Sequence, residues 1–162
     1  MAKDPMTMHL EKLRGNEFEA SFLGMMIHHH QSGVEMASLA LEKAQNPELK
    51  AMAANIKADQ EKEVVEMTVW LKDWHSQTAE THPMPAESMK MMQKDMSALK
   101  SASGSEFDKL FASQMAKHHL SAIAMAKIAV GKAEHHEVKD AAQKIVKTQT
   151  SEHEKLMKFA EM

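Results

Sequence analysis

The feature that most limits how this chain can fold is a direct repeat. Residues 18 to 73 align with residues 107 to 162 without a gap and share about 17 identities. These include Phe18/Phe107, Phe22/Phe111, Met26/Met115, His29/His118, His30/His119, Met36/Met125, Gln60/Gln149 and Glu63/Glu152. Within the first copy, Phe18, Phe22, Met26, His29, Gly33, Met36 and Ala40 form one seam stepping by four and three. Leu49, Ala53, Ile56, Gln60, Glu63, Met67 and Trp70 form a second. Val138, Ala142, Ile145, Gln149, Glu152, Leu156 and Phe159 repeat that second seam in the other copy. Such spacing turns one helix face toward a bundle interior. Each copy is then a helical hairpin. Two hairpins side by side make an all-α, up-down-up-down four-helix bundle.

Breakers mark where the helices end. The chain has only five Gly and four Pro, and β-branched residues are sparse, so helix is favoured almost throughout. A short helix is expected over 5–14, carrying Met6, Met8 and His9 and ended near Gly15-Asn16. The first long helix spans 17–45, and Asn46-Pro47 ends it and opens the next, over 47–75. Pro83 and Pro85 mark a linker over about 76–104 that holds a short Met-rich helix at 86–100. Two further long helices cover 105–133 and 137–161. The whole of 1–162 reads as one bundle domain with repeat halves at 17–75 and 105–162.

Composition narrows the function. A net charge of −3 gives no reason to expect nucleic acid or an anionic membrane as partner. No apolar run is long enough to span a bilayer, and the chain is expected to be a monomer. Met1-Ala2-Lys3-Asp4-Pro5 leads into no hydrophobic stretch, so the sequence reads without a signal peptide, as a cytosolic protein or a mature fragment with an added start. Cysteine is absent, which excludes disulfides, thiolate metal sites and c-type haem attachment. Methionine reaches 17 and histidine 11. Thioether and imidazole without thiol suit a soft metal, although methionine also fills adaptable cores and binding faces.

The repeat places imidazoles where a core should be. If the first turn centres on Asn46, His29 lies as far before it as Glu63 lies after it, so antiparallel helices set them at one level. The second copy does the same with His118 and Glu152. One polar layer is therefore expected inside an apolar bundle. It holds His29, His30, His118 and His119, with Gln60, Glu63, Gln149 and Glu152 beside them and Met26, Met115, Met36 and Met125 nearby. Unpaired buried polar groups cost about 1–3 kcal/mol each, so a duplicated layer needs a reason. One reading is a satisfied His–Glu layer that fixes register. The reading the sequence favours is a metal site in which Glu63 and Glu152 orient the imidazoles.

The donor set selects the metal. Adjacent histidines on a helix point about 100° apart and make no His-x-x-x-His chelate of the kind zinc uses. The Glu-x-x-His motifs of di-iron bundles are absent. Imidazoles with thioethers suit Cu(I), with Ag(I) as its mimic; a haem with Met and His ligands stays open. Elsewhere, Met6, Met8, His9, His82, Met84, Met89, Met92, His135 and His136 are candidates for weaker surface metal contacts, including Cu(II) at the histidines. Packing and solvated surface are the competing readings for each.

The run Phe22-Leu23-Gly24-Met25-Met26-Ile27-His28-His29-His30-Gln31-Ser32-Gly33-Val34-Glu35-Met36-Ala37 resembles a known family. It is similar to the bacterial four-helix, ferritin-like family known as domain of unknown function 305. The hallmark is a Met, a His-His pair and a later Met-Ala on one helix. Met26, His29, His30, Met36 and Ala37 match it, and so do Met115, His118, His119, Met125 and Ala126. The resemblance implies a non-enzymatic copper-handling role in resistance or trafficking, in the periplasm or otherwise outside the cytoplasm. For such a role, copper ions are the expected ligand and a copper-sensing or efflux protein is a candidate partner. Two rival functions stay open at this point: a ferritin-like redox metalloprotein with a His/Glu site, and a Met-rich helical protein-interaction module.

Overall fold

The computed structural model describes residues 4–162. It contains α1 (Pro5–Glu11), α2 (Gly15–Lys43), α3 (Pro47–His75), α4 (Ala86–Ser101), α5 (Gly104–Lys132) and α6 (His136–Glu161), with one 3-10 turn at Ala79–Thr81. The described residues are otherwise turn and loop, and none of these helices is long and apolar enough to cross a membrane. The helix ends follow local chemistry. Asn46 Oδ1 accepts the Glu48 and Leu49 N–H groups at 2.9 and 3.3 Å, and Pro47 fills the first turn of α3, where its missing N–H costs nothing. Gly15 and Gly104 hold equivalent places in the repeat and open α2 and α5 with φ of 58° and 62°, a conformation other residues adopt only with strain.

Two carboxylates set how the hairpins dock. Asp108, near the start of α5, accepts the N–H groups of Gln45 and Asn46 at 2.9 Å each, in the α2–α3 turn. Its repeat mate Glu19, near the start of α2, accepts those of Glu134 and His135 at 2.7 Å each, in the α5–α6 turn. Each hairpin therefore caps the other's turn, and α2 and α5 run antiparallel. Around the bundle the directions alternate: α2 up, α3 down, α6 up, α5 down. Along the chain, α5 runs the same way as α3, because α4 first carries the chain back along the bundle. α4, a helix of 16 residues spanning about 24 Å, makes that crossing together with the linker between His75 and Ala86. Met84 and Met92 lie against one end of the core and Met96 and Leu99 against the other.

The apolar core comes in two clusters. The first gathers Phe18, Phe22, Met26, Met67, Leu71, Met125, Val138 and Ile145. The second gathers Met36, Leu49, Ile56, Phe107, Phe111, Met115 and Leu156. The short segment before Gly15 packs on the bundle: Met6 and Leu10 of α1 are buried in the first cluster. Each such burial stabilises by about 1.5–3 kcal/mol. Met6 is thus a core residue and not a surface metal contact.

Gly24 and Gly33 in α2 are small because neighbouring side chains occupy the space a Cβ would take. A Cβ on Gly24 would lie 2.6 Å from the His82 Cβ. One on Gly33 would collide with Gln60 Oε1 and lie 3.1 Å from His118 Cε1. Gly33→Val should therefore destabilise the fold by about 2 kcal/mol through overpacking. Gly131→Ala, where nothing lies within 4 Å, should stabilise it by a few tenths to about 1 kcal/mol. Urea unfolding of the two variants checks both signs.

Candidate metal centre

The histidines lie where α2 and α5 cross. His29 and His118, repeat mates, stack face to face with ring centroids 3.6 Å apart and planes at 20°. His30 and His119, one step round the helix, turn instead to their own hairpin partners. The Nε2–H of His30 donates to Glu63 Oε1 at 2.7 Å, and that of His119 to Glu152 Oε1 at 2.8 Å. Of the two histidines at the level of Glu63, it is thus His30 and not His29 that bonds to it. The 100° between neighbours on a helix sends one imidazole across the bundle and the other along the hairpin.

This layer is buried and incompletely bonded. His29, His30 and His119 are at most 1 % exposed, and His118 8 %. Neither ring nitrogen of His29 or His118 has a partner, and neither do Nδ1 of His30, Nδ1 of His119, Gln60 Oε1 and Gln149 Oε1. A carboxylate only accepts, so Nε2 of His30 and of His119 carries the proton. In the neutral ring, Nδ1 then holds the free lone pair. Burial, then the neighbouring histidines, pushes His29 well below the usual imidazole range. The same causes lower His118 to about 3. Both are neutral lone-pair donors at physiological pH. A satisfied register-fixing layer would not leave these nitrogens bare.

The four methionines of the repeat are buried on both sides of the layer. Met26 and Met125 belong to the first core cluster, Met36 and Met115 to the second. Between α3 and α6, a cleft of about 10 Å³ is lined by Gln60, Glu63, Gln149 and Glu152 with Ile56, Asp59, Ile145 and Thr148. It lies over the outer edge of the layer.

The remaining candidates scatter. Met8 and Met89 are exposed, and His9 is exposed at the rim of a pocket of about 470 Å³. Met84 and Met92 are half-buried against the core. His136 is exposed and pairs with Asp140 at 2.8 Å. His82 lines the pocket, bonded to Gln77 Oε1 at 2.5 Å and to the Ser21 hydroxyl at 3.3 Å. Among the described residues, only Glu19, His75 and His135 bring three imidazole or carboxylate donor atoms within 4.8 Å of one another. Of these three, only His135 is among the candidates expected from the sequence; Glu19 and His75 are not. The acidic pair Glu19/Asp108 in the repeat was the available signal.

The sequence matches the model of the family described as domain of unknown function (DUF305) over residues 1–42 and 19–160. The chain belongs to the DUF305 family. Solved DUF305 structures agree. CopM in its Cu(II)-bound form is 34% identical, with a TM-score of 0.78 over 88% of this chain and 95% of that one. CopM in its Cu(I)-bound form is also 34% identical, with a TM-score of 0.77 over the same shares. A DUF305 fragment from Deinococcus radiodurans, at 23% identity, has the same fold, with a TM-score of 0.80 over 92% of this chain and 99% of that one. Among curated proteins, none matches the sequence.

Proposed function

We propose that this DUF305 protein is a non-enzymatic carrier or buffer of Cu(I), with Ag(I) as its mimic. The ion is held in the bundle core by the consecutive pairs His29–His30 and His118–His119, with Met26, Met36, Met115 and Met125 as soft donors close by. The observation that carries this reading is the set of buried imidazole nitrogens without a partner, repeated in both halves. The similarity to CopM, solved with Cu(I), supports it.

The chemistry fits the residues. Soft, low-coordinate Cu(I) needs neutral imidazole and thioether donors and tolerates a site with no charged ligand. Glu63 and Glu152 take the opposite ring nitrogens of His30 and His119, fixing ring orientation and raising the basicity of Nδ1. The ion reaches the layer through the α3–α6 cleft, past Glu63 and Glu152. The protein works in copper resistance or trafficking outside the cytoplasm, in the periplasm, and passes its ion to a copper-sensing or efflux protein. This placement rests on the family resemblance.

Competition with a chromogenic Cu(I) chelator under reducing conditions tests the proposal. The chain should withhold Cu(I) from the chelator. Glu63→Gln and Glu152→Gln should each weaken retention by about 10- to 100-fold while the helical signal stays unchanged. No retention by the wild-type chain would refute it.

A further inference from the structure

We infer that the chain carries a second metal site, for a divalent borderline ion, formed by Glu19, His75 and His135 at the far end of the bundle from the α2–α3 turn. Its residues come from three separate elements, the start of α2, the end of α3 and the α5–α6 turn. Their donor atoms lie within 4.8 Å of one another. The Glu19 side chain is completely buried and that of His75 nearly so, while His135 reaches the surface.

The repeat separates what the fold needs from what it does not. Asp108 caps the α2–α3 turn through its backbone N–H groups, and the bundle is complete there without any imidazole. Glu19 does the same for the α5–α6 turn with its Oε2. Its other oxygen is met by two histidines the second half does not reproduce. His75 Nε2 lies 2.9 Å and His135 Nδ1 2.5 Å from the same Oε1. The mate of His135 is Asn46, and His75 has none. Two imidazoles converging on one carboxylate oxygen make a His₂-carboxylate donor set, which suits Zn(II) or Cu(II) and not Cu(I). For coordination, the ring proton of each histidine moves to its other nitrogen.

The surroundings fit a bound ion. His75 lines the 470 Å³ pocket together with Glu17, His9 and His82, which leaves an open side for water or a further ligand. His135 is held flat against Trp74, with centroids 3.6 Å apart and planes at 2°. Trp74 in turn stacks on Trp70 at 5.8 Å. These two are the chain's tryptophans, so its fluorescence reports on this site. The inference does not depend on the Cu(I) reading, because it shares no residue with the core layer.

The test titrates metal-stripped full-length protein with Zn(II), by competition with a zinc indicator, and with Cu(II), by tryptophan quenching. One equivalent of either ion should bind, and Cu(II) should quench more than about half of the emission. His135→Asn and His75→Gln leave the backbone bonds of Glu19 in place. Each should weaken binding of the ion by more than about 10-fold. A variant lacking His29 and His30 should bind normally. Selective saturation by Zn(II) or by Cu(II) alone identifies the ion. Binding that survives both His75→Gln and His135→Asn, or that is not saturable near one equivalent, overturns the site.

Discussion

Replacing His29 and His118 together by leucine should make the apo protein more stable by about 2 kcal/mol and abolish tight Cu(I) binding, weakening it by more than about 100-fold. The two rings are buried with all four nitrogens unpartnered. Unsatisfied groups of this kind cost about 1–3 kcal/mol each, and an apolar residue of similar volume removes the cost. Part of that gain is offset by the lost stacking contact. Urea unfolding and chelator competition on the same variant read both quantities. A gain in stability with a loss of binding is the mark of a site kept for function. If stability fell by several kcal/mol, the layer would be structural.

Acid should destabilise the apo protein well before it weakens the site. The folded-state value of His118 is lowered to about 3 from an ordinary value of 6.5. Above pH 6.5 the ring is neutral in both states and its contribution is fully present. Below 6.5 the unfolded chain takes up the proton and the folded one does not. Stability is then lost at about 1.4 kcal/mol per pH unit until the folded value is reached. From pH 7 to 5 this residue alone removes about 2 kcal/mol, and His29, lowered for the same reason, acts in the same direction. Glu19 is a carboxylate whose value is also lowered. Its contribution is lost only under more acidic conditions, so it leaves this window unchanged. Through these two histidines, Cu(I) affinity should stay flat from pH 7 to 5, because both remain neutral in the folded protein. The free imidazole value would have put the loss of affinity near pH 6, and burial moves it down. Urea unfolding at pH 7, 6 and 5, beside chelator competition at each pH, separates the two effects. A pH-independent apo stability over this range would contradict it.

Much of this was legible in the sequence because the repeat encodes it. Gap-free alignment fixed two equal hairpins, and the stop at Asn46-Pro47 and the linker marked by Pro83 and Pro85 placed their ends. Hairpin arithmetic put histidine and glutamate at one level. It left open which histidine turns to Glu63, since a level says nothing about the 100° between His29 and His30. The direction of the second hairpin was not legible. It depends on the linker and α4 together carrying the chain back along the bundle and on turn caps between residues 63 positions apart in sequence, Asp108 and Gln45. The Glu19–His75–His135 group was hidden for the same reason: its members lie on three elements that only the docking of the two hairpins brings together.

The central claim is that Cu(I) lies in the polar layer where α2 and α5 cross. The most direct measurement is anomalous diffraction from crystals soaked with Cu(I) or Ag(I). The account predicts density within bonding distance of imidazole nitrogens of the His29–His30 and His118–His119 pairs, beneath the α3–α6 cleft. Density confined to surface methionines such as Met8 and Met89, with the core histidines still bare, would contradict it.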